Sequence, residues 1–186
     1  MKILITGAEG FLGKKLFSTL NNKNNILGIA RSSQRKGVSN LNLMDSKILN
    51  ETISKFNPEA IIHTASLVDI EKCEAEQDLA YAINVLCTEN IVNICKKNNI
   101  KLVYISTDYV FSGNDLEYTK ESEKDPINHY GLTKSIAEEK IKESLKDFAI
   151  IRPTILYGFN DSKDKKNFVN NVIKNCLQRY DNYSFG

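Results

Sequence analysis

Histidine and cysteine are scarce in this 186-residue chain, and neither is arranged to hold a metal. The two histidines, His63 and His129, have no metal-ligand spacing around them, which excludes a zinc site. The four cysteines, Cys73, Cys87, Cys95 and Cys176, form no C-x-x-C pair and read as small buried hydrophobes in a reducing compartment. An excess of one charge is missing too. Lys and Arg number 25 against 23 Asp and Glu, a net charge of +2, which gives no basis for a nucleic-acid partner. No run of 18 apolar residues occurs, so nothing reads as a membrane span. The apolar stretch at Met1–Gly7 is too short for a signal-peptide core. A cytoplasmic protein is the expectation. Proline and glycine are few, at 3 and 9, and no internal repeat is visible.

What is present is the composition of a soluble globular domain: 41% apolar and 26% charged residues. The apolar pattern alternates in type along the chain. Short β-branched runs at Lys2–Thr6, Asn25–Ala30, Ala60–Thr64, Lys101–Ser106 and Phe148–Arg152 read as buried strands, with a weak one at Ser39–Leu43. Between them, helical periods run over Phe11–Leu20, Ser46–Phe56, Asp78–Lys97 and Tyr130–Leu145, with a last one at Asn167–Leu177. In the Asp78–Lys97 helix the expected buried stripe is Leu79, Ile83, Leu86, Ile91 and Ile94. Continuous apolar strands alternating with helices predict an α/β fold, a doubly wound parallel sheet of the Rossmann type. Residues 1–160 are expected to form the dinucleotide-binding domain, and 161–186 to begin a C-terminal lobe. A long polar loop, 107–128, leaves the end of the Lys101–Ser106 strand, where such folds keep their chemistry.

Glycines at 7, 10 and 13 lie between the first strand and the first helix, in Thr6-Gly7-Ala8-Glu9-Gly10-Phe11-Leu12-Gly13. Such spacing permits a tight turn, a close approach of backbone to a pyrophosphate, and close packing of helix on strand. The helix start then offers unpaired N–H groups to phosphate. An acid about 20 residues on, which would hold the adenosine ribose of NAD(H), is absent: no Asp or Glu occurs between Phe11 and Met44. Arg31, Ser32, Ser33, Arg35 and Lys36 stand there instead. Guanidinium and hydroxyl groups suit a 2′-phosphate, so NADP(H) is the preferred cofactor, with NAD(H) as the alternative. A merely solvated basic patch is the competing reading.

Tyr130 and Lys134 sit at i and i+4 of one helix. Chance alone gives about one such pair in a chain of this composition, so position must carry the argument. Tyr130 opens the helix after the long loop, and that loop begins at Ser106-Thr107-Asp108. A strand-end hydroxyl, a phenol and an ammonium would converge above the edge where the glycine loop lies. A neighbouring cation is expected to lower the phenol's pKa. For Asp108 a structural role is favoured.

These residues resemble the extended short-chain dehydrogenase/reductases, most closely the dTDP-4-dehydrorhamnose reductases and related nucleotide-sugar reductases. The carrying motifs are Thr6–Gly13, Ile62-His63-Thr64-Ala65, Asn84-Val85-Leu86-Cys87-Thr88, Ser106-Thr107-Asp108-Tyr109-Val110-Phe111, Tyr130–Lys134 and Ile151-Arg152-Pro153. The resemblance implies that Tyr130 is the catalytic acid/base, that Thr107 steadies the substrate carbonyl, and that Lys134 binds the nicotinamide ribose and tunes Tyr130. It implies cofactor contacts from Gly7, Gly10, Phe11, Leu12 and Gly13 in the loop, Arg31 and Ser32 after the second strand, and Asn42 and Leu43 near the adenine. His63, Thr64 and Ala65 would line the cofactor groove, joined by Tyr130, Lys134 and Pro153. The Val68–Glu74 segment resembles a loop beside the substrate, with no catalytic role expected in it. Relatives continue past the position of Gly186 into a small lobe that grips the nucleotide-sugar, so most of that lobe is expected to be missing here. The implied activity is NADP(H)-dependent reduction of a nucleotide-linked 4-keto sugar, with no metal. Two alternatives stay open: an epimerase or dehydratase of the same fold, and a non-catalytic dinucleotide-binding regulatory subunit, since one branch of this likeness regulates a methionine adenosyltransferase. Intact Thr107, Tyr130 and Lys134 weigh against the second. A homodimer through the outer faces of Asp78–Lys97 and Tyr130–Leu145 is also implied.

Overall fold

The computed structural model describes residues 1–158 and Val172. Six strands form one parallel sheet: β1 (Lys2–Thr6), β2 (Asn25–Ala30), β3 (Val38–Asn40), β4 (Ala60–His63), β5 (Lys101–Ile105) and β6 (Phe148–Ile151). Their order is β3-β2-β1-β4-β5-β6, so the chain runs outward from β1 in one direction and then in the other. This is the doubly wound Rossmann arrangement, and its switch point between β1 and β4 is where such sheets open a crevice for ligands.

Alternation along the strands divides the core in two. Ile3, Ile5 and Ile26 point to one face and pack with Ala8 and with Phe17 of α1 (Phe11–Leu20). Leu4, Ile29, Ile61, Leu102 and Tyr104 point to the other. There they meet Leu49 and Ile53 of α2 (Ser46–Phe56) and, from helices introduced below, Ile91 and Ile141. Each such fully buried aliphatic side chain contributes about 1.5–3 kcal/mol. Helix α2 starts where Asp45 accepts a hydrogen bond from the Ile48 N–H at 3.0 Å, and ends at Asn57, whose φ of 51° is left-handed. The following Pro58 could not have continued it.

Two departures from the expected elements bear on the site. The weak third strand lies at Val38–Asn40, not Ser39–Leu43, because β3 is a short edge strand paired only to Gly28–Ala30. The expected Asp78–Lys97 helix is interrupted. Helix α3 (Ile70–Ala75) and helix α4 (Gln77–Tyr81) lead into a π-helical turn, Ala82–Leu86, before α5 (Cys87–Asn98). The wider turn rotates the stripe, so Leu86 is exposed while Asn84, Val85 and Thr88 face inward. Helix α6 (His129–Ser144) connects β5 to β6 after the long loop.

Cys73, Cys87 and Cys95 are buried free thiols, pushed up by burial to about 11 at Cys87 and about 12 at Cys95. They are inert packing groups. Cys176 and, apart from the helical Val172, the expected Asn167–Leu177 helix lie outside the described residues. Among those residues no helix is long and apolar enough to cross a membrane. The chain divides into two compact units, Met1–Arg152 and Pro153–Gly186, and the sheet belongs to the first.

Candidate active site

The glycine loop joins β1 to α1 at the switch point. Gly7 has a φ of +67°, and a Cβ there would meet the Ala65 N and the Thr64 Oγ1 at 2.8 Å each. A Cβ at Gly13 would sit 2.1 Å from the Gly7 carbonyl oxygen. Only hydrogen fits at either position, so loop, helix start and the residues after β4 close onto one another as a backbone cradle. No side chain caps α1, whose N-cap is Gly10. The N–H groups of its first turn, at Phe11, Leu12 and Gly13, therefore have no capping side chain and no intrahelical partner by helix geometry. A backbone cradle beside an uncapped helix start fits the pyrophosphate of a dinucleotide.

Around that cradle the residues expected to contact the cofactor differ in exposure. Thr64 donates its hydroxyl to the Thr6 carbonyl at 2.7 Å, and both Thr64 and Ala65 are half-buried. His63 presents no surface to a groove: it is 1% exposed. Arg31 and Ser32 are exposed at the end of β2. Asn42 is exposed and accepts from the Met44 N–H at 3.1 Å, while Leu43 packs partly against the core. Pro153 opens the second compact unit.

The loop itself carries an acid, Glu9, which the spacing of ribose-binding acids does not announce. Its Oε1 accepts from the Ser33 hydroxyl at 2.6 Å and lies 3.6 Å from Arg35 Nε, and its Oε2 is 3.5 Å from Lys14 Nζ. Asn40 holds Ser33 in place, accepting from its N–H at 2.7 Å and donating to its carbonyl at 3.1 Å.

The other side of the switch point is built from buried polar side chains. His63 Nε2 lies 3.0 Å from Thr88 Oγ1, whose own hydroxyl donates to the Asn84 carbonyl at 2.7 Å. Nε2 must therefore carry the proton. Nδ1, at 2.6 Å from Thr6 Oγ1, then accepts from that hydroxyl. The ring is neutral, its pKa driven down to about 3 by burial and, secondarily, by the Lys134 charge. Asn84 uses every bond it can make. Its Oδ1 accepts from Ser66 Oγ at 2.9 Å and Leu67 N at 2.8 Å, and its Nδ2 donates to Leu67 O at 3.1 Å and Thr133 Oγ1 at 3.0 Å. The inward turn of Asn84 comes from the π-helical turn, which periodicity does not foresee.

Tyr130 opens α6 at 8% exposure, packed on Cys73 and Ala80 and set edge-on to Tyr109 at 6.0 Å between ring centroids. Asn128 accepts from the Gly131 N–H at 2.8 Å, and Glu74 of α3 accepts from the His129 N–H at 2.6 Å, so two side chains fix the helix start. The Val68–Glu74 segment thus holds Tyr130 from behind. Burial pushes the Tyr130 phenol up to about 12, against the hydroxyls of Thr107 and Ser66 beside it. The expected lowering by a cation does not occur: burial is the largest influence on the phenol and its direction is upward, while the Lys134 ammonium donates to the Ile105 carbonyl. Thr107 is buried, donates to Asp108 Oδ1 at 3.1 Å and accepts from the Tyr109 N–H at 3.2 Å.

Lys134, one turn on from Tyr130, is 2% exposed. Its Nζ donates to the Ile105 carbonyl at 2.7 Å and stands 4.1 Å from the Tyr104 ring centre. Burial brings it down to about 7, with Glu138 working the other way. Glu138, another turn on and fully buried, was not anticipated from spacing. Arg152 grips it with both arms of the guanidinium, Nε at 2.8 Å and Nη2 at 2.6 Å, and Lys124 approaches at 3.5 Å. Burial alone would raise that carboxyl, but the Arg152 bonds and charge win and hold it below its ordinary value. Tyr130, Lys134 and Glu138 form one inward face of α6, and Thr107 meets it at Tyr130.

Comparison with known proteins agrees with this construction. The model of the RmlD substrate binding domain family matches residues 1–182. A crystal structure of dTDP-4-dehydrorhamnose reductase from Bacillus anthracis, in complex with NADP, superposes with a TM-score of 0.85 at 34% identity, covering 96% of this chain and 60% of that one. Among curated proteins, methionine adenosyltransferase 2 subunit beta of Xenopus laevis is 31% identical over 96% of this chain and 57% of its own length. The spore coat polysaccharide biosynthesis protein SpsK of Bacillus subtilis is 30% identical over 93% and 58%. The chain spans somewhat over half the length of these relatives. With the family's model matching residues 1–182 of its 186, this chain belongs to the RmlD substrate binding domain family.

Proposed function

We propose that the chain is the cofactor-binding part of an NADP(H)-dependent reductase of a nucleotide-linked 4-keto sugar, with Tyr130 as the proton donor. The observation that carries this reading is the meeting of Tyr130, Thr107 and the Lys134 turn at the strand ends, joined to the glycine loop through His63 and Thr6. Residues 1–160 would form the dinucleotide domain, and 161–186 would begin the substrate lobe. The bound nicotinamide would supply hydride to the sugar ketone. Tyr130, whose phenol keeps its proton at neutral pH, would donate it to the forming alkoxide. Thr107, beside that phenol, would hold the ketone oxygen. Lys134, poised near neutrality, would bind the ribose hydroxyls and offset the phenolate left behind. The homodimer implied by the resemblance would use the outer faces of the α5 and α6 region, where Tyr81, Leu86 and Leu132 are exposed.

The regulatory reading is kept for one reason, the similarity to methionine adenosyltransferase 2 subunit beta. One experiment separates the two. NADPH should raise the melting temperature of the 186-residue chain by binding linkage, with little ketone-dependent oxidation. In a version extended through the length of its relatives, a nucleotide 4-keto-6-deoxy sugar should consume NADPH. Tyr130→Phe should cut that turnover by about 10²–10⁴-fold while NADPH affinity stays. Thermal stabilisation without turnover in the extended protein favours the regulatory reading, and unchanged turnover in Tyr130→Phe removes Tyr130 as donor.

A further inference from the structure

The end of β2 holds an anion that the chain itself supplies. Ser33 Oγ, Arg35 Nε and Lys14 Nζ surround the Glu9 carboxylate at 2.6, 3.6 and 3.5 Å. The group is ordered from outside. Ser33 is fixed at both backbone atoms by Asn40, its hydroxyl also accepts from the Arg35 N–H at 2.9 Å, and the Arg35 guanidinium lies 5.6 Å over the Phe17 ring. Glu9 belongs to the glycine loop, so this cluster stands where the loop and the second strand meet. In this fold the adenosine ribose is read from that corner.

We propose that Glu9 is a cofactor-specificity residue: its carboxylate occupies the cradle of Ser33 and Arg35 that a 2′-phosphate would otherwise take, and so restrains the preference for NADP(H) over NAD(H). This inference rests on the dinucleotide reading above. The chemistry is a competition between anions for the same donors. A hydroxyl and a guanidinium serve a carboxylate or a phosphate equally well. A 2′-phosphate carries close to two negative charges and must either displace Glu9 or bear its repulsion. A ribose 2′-hydroxyl brings no charge and meets neither cost. Arg31 and Ser32, exposed nearby, then carry the phosphate recognition that Arg35 and Ser33 are kept from giving.

The test is the affinity of the 186-residue chain for NADPH, NADH, 2′,5′-ADP and 5′-ADP, measured by calorimetry. In Glu9→Gln the NADPH-to-NADH affinity ratio should rise about tenfold through tighter NADPH, and the 2′,5′-ADP to 5′-ADP ratio should rise with it. Glu9→Ala, which also releases the Ser33 hydroxyl, should give the same direction, so a fault peculiar to one variant is exposed. Arg35→Gln should change NADPH affinity less than threefold in the starting protein, yet remove most of the gain when added to Glu9→Gln. An unchanged ratio in both Glu9 variants would overturn the proposal. So would a ratio that rises only because NADH binds more weakly, since the carboxylate would then be holding the ribose itself. Failure of the starting protein to bind either dinucleotide would instead overturn the cofactor reading on which the proposal stands.

Discussion

The two sides of the switch point are built by different means. Toward β2 and β3 the site is backbone: glycines at 7 and 13 admit no side chain, and the charged groups, Glu9, Arg35 and Lys14, remain partly in solvent. Toward β4, β5 and β6 the site is side chain: His63, Asn84, Thr88, Thr133, Lys134 and Glu138 are all at most 2% exposed. The first arrangement recognises by shape and needs no pKa control. The second sets proton positions, because in a dry interior each partner determines the charge of the next. The first suits the holding of a phosphate, and the second suits the placing of a proton.

If the comparison is right, the largest loss should come from the buried side. Glu138→Ala leaves the Arg152 guanidinium and Lys124 without their buried carboxylate, and should cost about 3–5 kcal/mol in denaturant unfolding. A loss under about 1 kcal/mol would mean that the network is solvated and the contrast between the two sides is false. Next comes acid. Because the folded His63 is held neutral down to about pH 3, the unfolded chain takes up a proton near pH 6.5 that the folded chain refuses. Stability contributed by keeping it neutral is complete above that pH and is lost as pH falls. Between pH 6.5 and 4.5 this one residue should remove about 2.3 kcal/mol, the slope approaching about 1.4 kcal/mol per unit at the acid end. The slope of stability against pH in this window should flatten in His63→Gln. Equal slopes in the two proteins would show that His63 titrates normally.

The same division explains what was legible in the sequence. Glycine spacing, strand runs and the Tyr130–Lys134 interval are local patterns, and the sheet, the loop and the helix that carries Tyr130 could be read from them. Contacts across the buried side join residues far apart in the chain, as Thr6 with His63 or Asn84 with Thr133, and no periodicity announces them. Asn84 turns inward only because of the π-helical turn, and the Leu86 expectation failed for the same reason. The upward direction of the Tyr130 phenol comes from burial, which is not visible in a spacing. Glu9 escapes the pattern for a different cause: it lies inside the glycine loop, not about 20 residues beyond it.

A smaller effect is expected from the backbone side. Gly13→Ala puts a methyl 2.1 Å from the Gly7 oxygen, and should cost about 1–3 kcal/mol while abolishing the stabilisation given by NADPH. Gly131 offers a control from the other side, since its Cβ would meet the Tyr109 oxygen at 2.1 Å. Gly131→Ala should destabilise by a similar amount but leave NADPH binding largely in place. If both variants lose NADPH equally, the glycine loop is not the distinct recognition element that the comparison makes it.

The smallest effect on folding should come from Arg31, and it sharpens the contrast most. Arg31 is exposed at the end of β2, and replacing an exposed residue moves stability by no more than about 0.5 kcal/mol. Recognition is another matter. With Arg35 turned to Glu9, Arg31 would be the residue to meet a 2′-phosphate on the NADP(H) reading. A charge-assisted contact of that kind is worth roughly 1.5–3 kcal/mol, about tenfold to a hundredfold in affinity. Arg31→Asp should therefore melt within a degree or two of the starting protein and yet narrow or reverse its preference for NADPH over NADH. Because the contact is made in solvent, raising salt from 50 to 500 mM should shrink the preference of the starting protein and leave that of the neutral variant Arg31→Gln nearly unchanged. Calorimetry with both dinucleotides at the two salt concentrations decides it. Equal affinities for NADPH and NADH in the starting protein, at low salt, would show that the basic residues after β2 are a solvated patch and that the backbone side reads no phosphate beyond the pyrophosphate.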